Sequence, residues 1–158
     1  MTTTCAIFVK NDATDEIVYT APDRELVPKL VDELCKRLTS DDAKATTRMV
    51  RAAMAHLNLV MIHPFSDGNG RMSRCLQTLV LARGGVLSPT FYSIEEYLGR
   101  NTAQYYAALA EVGRGKWNPK RNALSWIRFC LSAHYIQARS VKRRLEYTSV
   151  VGESVEKC

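Results

Sequence analysis

Within twelve residues, His63-Pro-Phe-Ser-Asp-Gly-Asn-Gly-Arg-Met-Ser-Arg74 brings together an imidazole, a carboxylate, two glycines, an amide and two guanidiniums. An unperturbed imidazole has a pKa of about 6.5, so His63 is mostly neutral at cellular pH and able to take a hydroxyl proton. Asp67 suits a magnesium ion, which takes one or two carboxylates and completes its shell with water and phosphate oxygens. Asp67 is also a second candidate base, although a metal-bound carboxylate is a poor one. Gly68 and Gly70 can take backbone angles barred to other residues and let phosphate oxygens approach the amides. Asn69 can donate a side-chain amide to the same oxygens. Arg71 and Arg74 are three apart, hence on one helical face, and can hold phosphates in bidentate fashion. Phe65, apolar in a polar loop, is expected to bury itself and pin the loop. A base beside an anion cradle and paired guanidiniums is what nucleotide phosphate chemistry needs.

Such a cradle requires one helix to end before the loop and another to begin inside it, so that unpaired amides face the anion. Pro64 disfavours helical geometry at His63 and closes a helix running from roughly Asp42 to Ile62. That helix is almost wholly apolar after Ala52, which predicts a central, buried position. The second helix starts near Gly70, with Met72, Leu76, Leu79 and Val80 expected inward and Gly84-Gly85 as its stop. Upstream, Val27, Leu30, Val31, Leu34 and Leu38 follow helical spacing from Asp23 onward, with Pro28 tolerated in the first turn. Downstream, short helices are expected over Ser93 to Arg100 and Thr102 to Val112, then a loop from Gly113 to Pro119. A long final helix carries Leu124, Ile127, Leu131, His134, Ala138, Val141 and Leu145 on one face. The start of the chain differs: Cys5 to Lys10 and Glu16 to Thr20 favour strand around turn-forming Asn11 to Asp15. A lone hairpin is marginal, so it must lie on the helices or accept a strand from elsewhere. The expected fold is all-α with a small N-terminal β-hairpin: one domain over residues 1–146, hairpin at 5–20, catalytic loop at 63–74, then a polar tail over 147–158.

Composition narrows the function classes. At 158 residues the chain suits one domain, and 46% hydrophobic with 24% charged residues is ordinary for a soluble globular protein. No apolar run approaches the length of a membrane span, and Met-Thr-Thr-Thr-Cys lacks the layout of a signal peptide, so the cytoplasm is the default. Cys5, Cys35, Cys75, Cys130 and Cys158 are scattered and odd in number, which argues against a disulfide framework or zinc site. A net charge of +6 favours anionic partners, nucleotides and nucleic acids alike. The basic cluster Arg139 to Arg144 is broken by Val141 and reads as a solvated helix face, so direct nucleic-acid binding is not expected. Walker-type and kinase-type glycine loops are absent, which leaves the nucleotide site to His63–Arg74 alone. His56, two turns before His63 on the same face, either orients the loop or is a satisfied core histidine. His134 is assigned no chemistry.

The loop resembles the signature HxFx(D/E)GNGRxxR of Fic-domain proteins at every fixed position. Ala52-Ala-Met-Ala-His56 and Tyr105-Tyr106 extend the resemblance over roughly residues 17–145. It implies a protein adenylyltransferase that transfers AMP from Mg-ATP to a hydroxyl of a target protein. In that role His63 activates the hydroxyl for attack on the α-phosphate and Asp67 holds Mg²⁺. Gly68, Asn69 and Gly70 receive the α-phosphate, and Arg71 and Arg74 balance the rest of the triphosphate. By position, Tyr106 is implied to contact adenine, a packed core tyrosine being the alternative. The hairpin resembles the family's flap, which binds a target segment by strand addition, and an open strand edge permits that; a hairpin that merely covers the helices is the other reading.

Relatives have also been assigned UMP, phosphate or phosphocholine transfer and AMP removal. The phosphate-transferring branch departs from GNGR, which this chain keeps. A catalytically silent nucleotide-binding module is a further reading, against which the intact His63 stands. Many relatives restrain themselves with [S/T]xxxE[G/N], whose glutamate pairs with the second motif arginine. Here only Ser149-Val-Val-Gly-Glu153 comes near, and it is followed by Ser154. Either this is a degenerate C-terminal inhibitor with Glu153 reaching Arg74, or the match is chance and inhibition is expected from a partner protein or from a region missing from this chain.

Overall fold

The computed structural model describes residues 7–10, 14–39, 47–83 and 93–155, with side chains to residue 147. Strands β1 (Phe8–Lys10) and β2 (Ile17–Thr20) precede six helices among the described residues: α1 (Val27–Thr39), α2 (Arg48–Ile62), α3 (Asn69–Ala82), α4 (Glu95–Arg100), α5 (Thr102–Gly113) and α6 (Leu124–Val155). The fold is all-α with a two-stranded antiparallel hairpin, as the patterning predicts. The start of the hairpin at Cys5, its turn at residues 11–13, the Asp42 helix start and the Gly84-Gly85 stop lie outside the described residues.

Helix α2 is the axis of the domain and packs against α1, α3 and α6. Ala52, Ala53, Ala55, Leu57, Leu59 and Ile62 are buried along it. Three of these are alanines, which let neighbouring backbones come close. On the α6 side the Trp126 indole N–H donates to the Ala53 carbonyl at 2.7 Å. Trp126 joins Leu57, Ile94, Leu98, Tyr105, Val112, Cys130 and Ala133 in a core shared by α2, α4, α5 and α6. On the opposite side Leu34 of α1 packs with Leu59 and Ile62, and Val27, Leu30, Val31 and Leu38 line that contact as the spacing predicts.

The hairpin is held from two sides. Thr20 N–H donates to the Gly115 carbonyl at 2.9 Å, and Trp117 N–H donates to the Thr20 carbonyl at 2.8 Å. The Tyr19 hydroxyl donates to the Met61 carbonyl at 2.8 Å, two residues before His63. Burial pushes the Tyr19 phenol pKa upward, which keeps that donor protonated. The hairpin thus lies on the rest of the fold, with an isolated bridge between Thr20 and Lys116 but no third strand among the described residues, and Tyr19 ties it to the end of α2.

Two helical faces differ from the sequence expectation. On α3 the buried residues are Asn69, Ser73, Gln77, Val80 and Leu81, whereas Met72 and Leu79 are exposed. On α6 the buried line is Trp126, Cys130 and Ala133, and the expected Leu124, Leu131 and Leu145 face outward. An apolar count cannot find the α3 face, whose inward polar side chains each have a hydrogen-bond partner in the fold. Helix α6 also continues to Val155, through the residues read as a polar tail. No proline interrupts it, and Lys142–Glu146 adds an i,i+4 pair at 3.6 Å.

Candidate active site

His63 caps α2 in the left-handed region, with φ 54° and ψ 55°, and its N–H donates to the Leu59 carbonyl at 3.1 Å. Pro64 disfavours the right-handed helical alternative, so the helix turns off at the imidazole. The ring is half-buried, and its Nδ1 lies 3.3 Å from the Val60 carbonyl. A carbonyl can only accept, so Nδ1 carries the proton and Nε2 presents the lone pair. Burial holds the His63 pKa below its ordinary value, with the Val60 carbonyl working in the opposite direction. The imidazole is therefore neutral at cellular pH and basic at Nε2.

Gly68 caps α3 at φ 82°, the left-handed region that glycine enters without strain. Gly70 does not share that geometry; it lies in the first turn of α3. Its contribution is space: a Cβ there would meet Arg74 Nη1 at 3.5 Å and the Tyr105 hydroxyl at 3.9 Å. A Cβ on Gly68 would likewise meet the Arg71 guanidinium at 3.4 Å. Both arginines therefore fold back toward the start of α3, where the unpaired amides and the helix dipole already favour an anion.

The roles of Asn69 and Phe65 are exchanged relative to expectation. Asn69 is buried, accepts from Phe65 N–H at 3.0 Å and donates to the Phe65 carbonyl at 2.7 Å. One N–H and the carbonyl oxygen of its amide close the loop on itself, while the Phe65 ring is 45% exposed. Ser73 completes the clamp by donating to the Asn69 carbonyl at 2.7 Å. Asn69→Ala is expected to cost about 1–3 kcal/mol, because two part-buried backbone groups of Phe65 lose their partner. Thermal unfolding of the variant, with a melting temperature several degrees lower, checks this.

Each charged group of the loop has a counter-ion. Asp67 accepts from the Gly68 amide at 2.5 Å and pairs with Arg71 at 2.8 Å. Arg74 Nε donates to Glu95 Oε1 at 2.7 Å across from α4, with side chains 24% and 54% exposed. Sequence reasoning missed Glu95, which lies twenty-one residues from Arg74 and carries no motif signal. It also gave no role to Gln77, whose sign would have been the polar line Asn69-Ser73-Gln77 at four-residue spacing. Tyr106 is 63% exposed, with its ring beside that of Tyr105 at 5.2 Å. An open aromatic face suits stacking better than core packing. His56 is the satisfied core histidine: its Nδ1 is 2.6 Å from Gln77 Oε1 and its Nε2 is 3.1 Å from the Tyr105 hydroxyl. It makes no bond to the loop. His134 lies 2.8 Å from Gln77 Nε2.

The model of the Fic/DOC family matches residues 6–81, a span that includes the whole loop. Over that span the chain is similar to the Fic/DOC family. A Fic family protein from Desulfovibrio desulfuricans superposes with a TM-score of 0.71 at 27% identity, covering 87% of this chain and 38% of that one. Among curated Fic relatives, a protein adenylyltransferase of Caenorhabditis briggsae is 35% identical over 95 residues, 60% of this chain and 18% of its own length. One from Caenorhabditis elegans is 33% identical over 101 residues, 64% of this chain and 19% of its own length. The chain thus spans about a fifth of the length of these relatives. Among the described residues no helix is long and apolar enough to cross a membrane.

Proposed function

We propose that this Fic domain is a protein adenylyltransferase that moves AMP from ATP to a hydroxyl of a target protein. The observation that carries the reading is the His63 imidazole, neutral and with Nε2 free, at the end of α2 beside the anion cradle at the start of α3. His63 Nε2 takes the hydroxyl proton, the target oxygen forms a bond to the α-phosphorus, and the α–β bridging bond breaks to release pyrophosphate. The first-turn amides of α3 that follow Gly68 stabilise charge developing on the α-phosphate. Arg71 and Arg74 grip the leaving phosphates, and Tyr106 offers its face to adenine.

Among the described residues no three His, Cys, Asp or Glu side chains cluster as a metal cage. A single exposed carboxylate such as Asp67 fits magnesium, which brings most of its shell as water and phosphate oxygens. Asp67 would hold that ion once Arg71 has turned to the nucleotide, and the ion would offset phosphate charge. The target segment is read as an added strand on the hairpin, whose tie to Met61 sets it near His63.

The test is incubation with labelled ATP, UTP or CDP-choline, reading the adduct mass on target or on the domain itself. An AMP adduct from ATP supports the proposal; a phosphate, UMP or phosphocholine adduct reassigns the transferred group, and no adduct favours a silent nucleotide-binding module. A second expectation concerns Glu95. ATP must displace this carboxylate from Arg74, so Glu95→Gln should tighten ATP binding about three- to fivefold, the worth of a partly exposed pair. Calorimetry checks it, and unchanged affinity would remove Glu95 as a competitor.

A further inference from the structure

The Gln77 Oε1 oxygen can only accept, so His56 Nδ1, 2.6 Å away, carries the ring proton. His56 Nε2 is therefore a lone pair, and the Tyr105 hydroxyl 3.1 Å away donates to it. Gln77 in turn donates from Nε2 to His134 Nε2 at 2.8 Å. Every group is satisfied by the next, from the Tyr105 hydroxyl inward to α6. The oxygen lone pairs of Tyr105 are left facing the space over Gly70, which Arg74 Nη1 shares, and arginine can only donate.

The chain is enclosed. His56 and Gln77 are buried, and the Trp126 indole meets the His56 ring edge-on at 4.9 Å. Burial lowers both His56 and His134 to about 4, so both stay neutral at cellular pH and the direction of donation persists. A buried polar network is tolerable when each member is satisfied, as here, and it then specifies one arrangement.

We propose that Tyr105 and His56 are positioning residues for Arg74: the buried chain keeps the lone pairs of the Tyr105 hydroxyl, not its proton, turned to the guanidinium above Gly70. The inference rests on reading Arg74 as a phosphate clamp. With Tyr105 on one side and Glu95 on Nε, the planar fork is oriented before nucleotide arrives, so less rotamer freedom is lost on binding. Gly70 lies between the two, 3.5 Å from Arg74 Nη1 and 3.9 Å from the Tyr105 hydroxyl as measured from where a Cβ would stand.

The test reads Arg74 directly, through its Nε–H signal in nitrogen-15 NMR of the ligand-free protein, together with Mg-ATP affinity by calorimetry. In the wild type the signal should be rigid. Tyr105→Phe and His56→Phe should make it mobile and raise the Kd for ATP about tenfold, with kcat little changed. His56→Gln keeps an acceptor for Tyr105 and a donor for Gln77, and should restore both readouts. In an Arg74→Ala background, Tyr105→Phe should add no further loss of affinity. An Arg74 signal that stays rigid in Tyr105→Phe, or a full tenfold further loss without Arg74, overturns the proposal. If Tyr105→Phe frees Arg74 while the wild type transfers no AMP, the positioning role stands and the proposed function falls. Should His56→Phe not fold, Tyr105→Phe carries the test, since it removes one oxygen and leaves the ring in place.

Discussion

His63→Ala is expected to lower AMP transfer by about 10²- to 10⁴-fold, the usual contribution of a positioned general base, with ATP affinity and melting temperature close to wild type. Affinity is spared because the phosphates are gripped by amides and guanidiniums of α3. Stability is spared because the ring is half-buried and its one recorded bond is a 3.3 Å contact to Val60. The pH profile gives a second reading of the same residue. Only the deprotonated ring can act as base, so kcat/KM rises with pH as His63 loses its proton. Burial lowers that pKa, so the active form persists to lower pH: the midpoint lies below the ordinary value of about 6.5 and the rate is level above pH 7. The alanine variant should lose this acidic limb. Equal self-labelling by variant and wild type would remove His63 from the role.

Arg74→Ala is expected to weaken ATP binding on the order of 10- to 100-fold, the range for hydrogen bonds to a charged group, with the fold intact. The guanidinium is partly sheltered at 24% exposure and already oriented by Glu95. Removing it leaves Glu95 half-exposed and able to rehydrate, so little stability is lost. Arg71 is far more exposed and tied to Asp67 within one turn, so Arg71→Ala should weaken binding less. Titration with a non-hydrolysable ATP analogue measures both. An unchanged Kd for Arg74→Ala would count against the phosphate clamp.

The site was legible wherever chemistry lies close along the chain. Base, carboxylate, glycines and arginines fall within twelve residues, and Pro64 with Gly68 states where one helix ends and the next begins. What the loop residues do inside the loop was less legible. Asn69 looks like an anion donor and is the clamp; Phe65 looks like the clamp and is half-exposed. Residue type names the bonds a side chain can make, and local geometry chooses among them. The Arg74–Glu95 and Tyr105–His56–Gln77–His134 contacts join residues 21 to 57 positions apart. Spacing along one helix carries no information about such pairs.

Local rules were enough for the helical class of the domain, the central place of α2 and the α1 contact, because apolar period and helix breakers act over a few residues. Which faces of α3 and α6 turn inward, and where Arg74 points, were settled only by packing. A polar stripe such as Asn69-Ser73-Gln77 is costly to bury until the Phe65 backbone, the Asn69 carbonyl and the histidines of α2 and α6 satisfy it, and the histidines reach Gln77 only once the chain has folded.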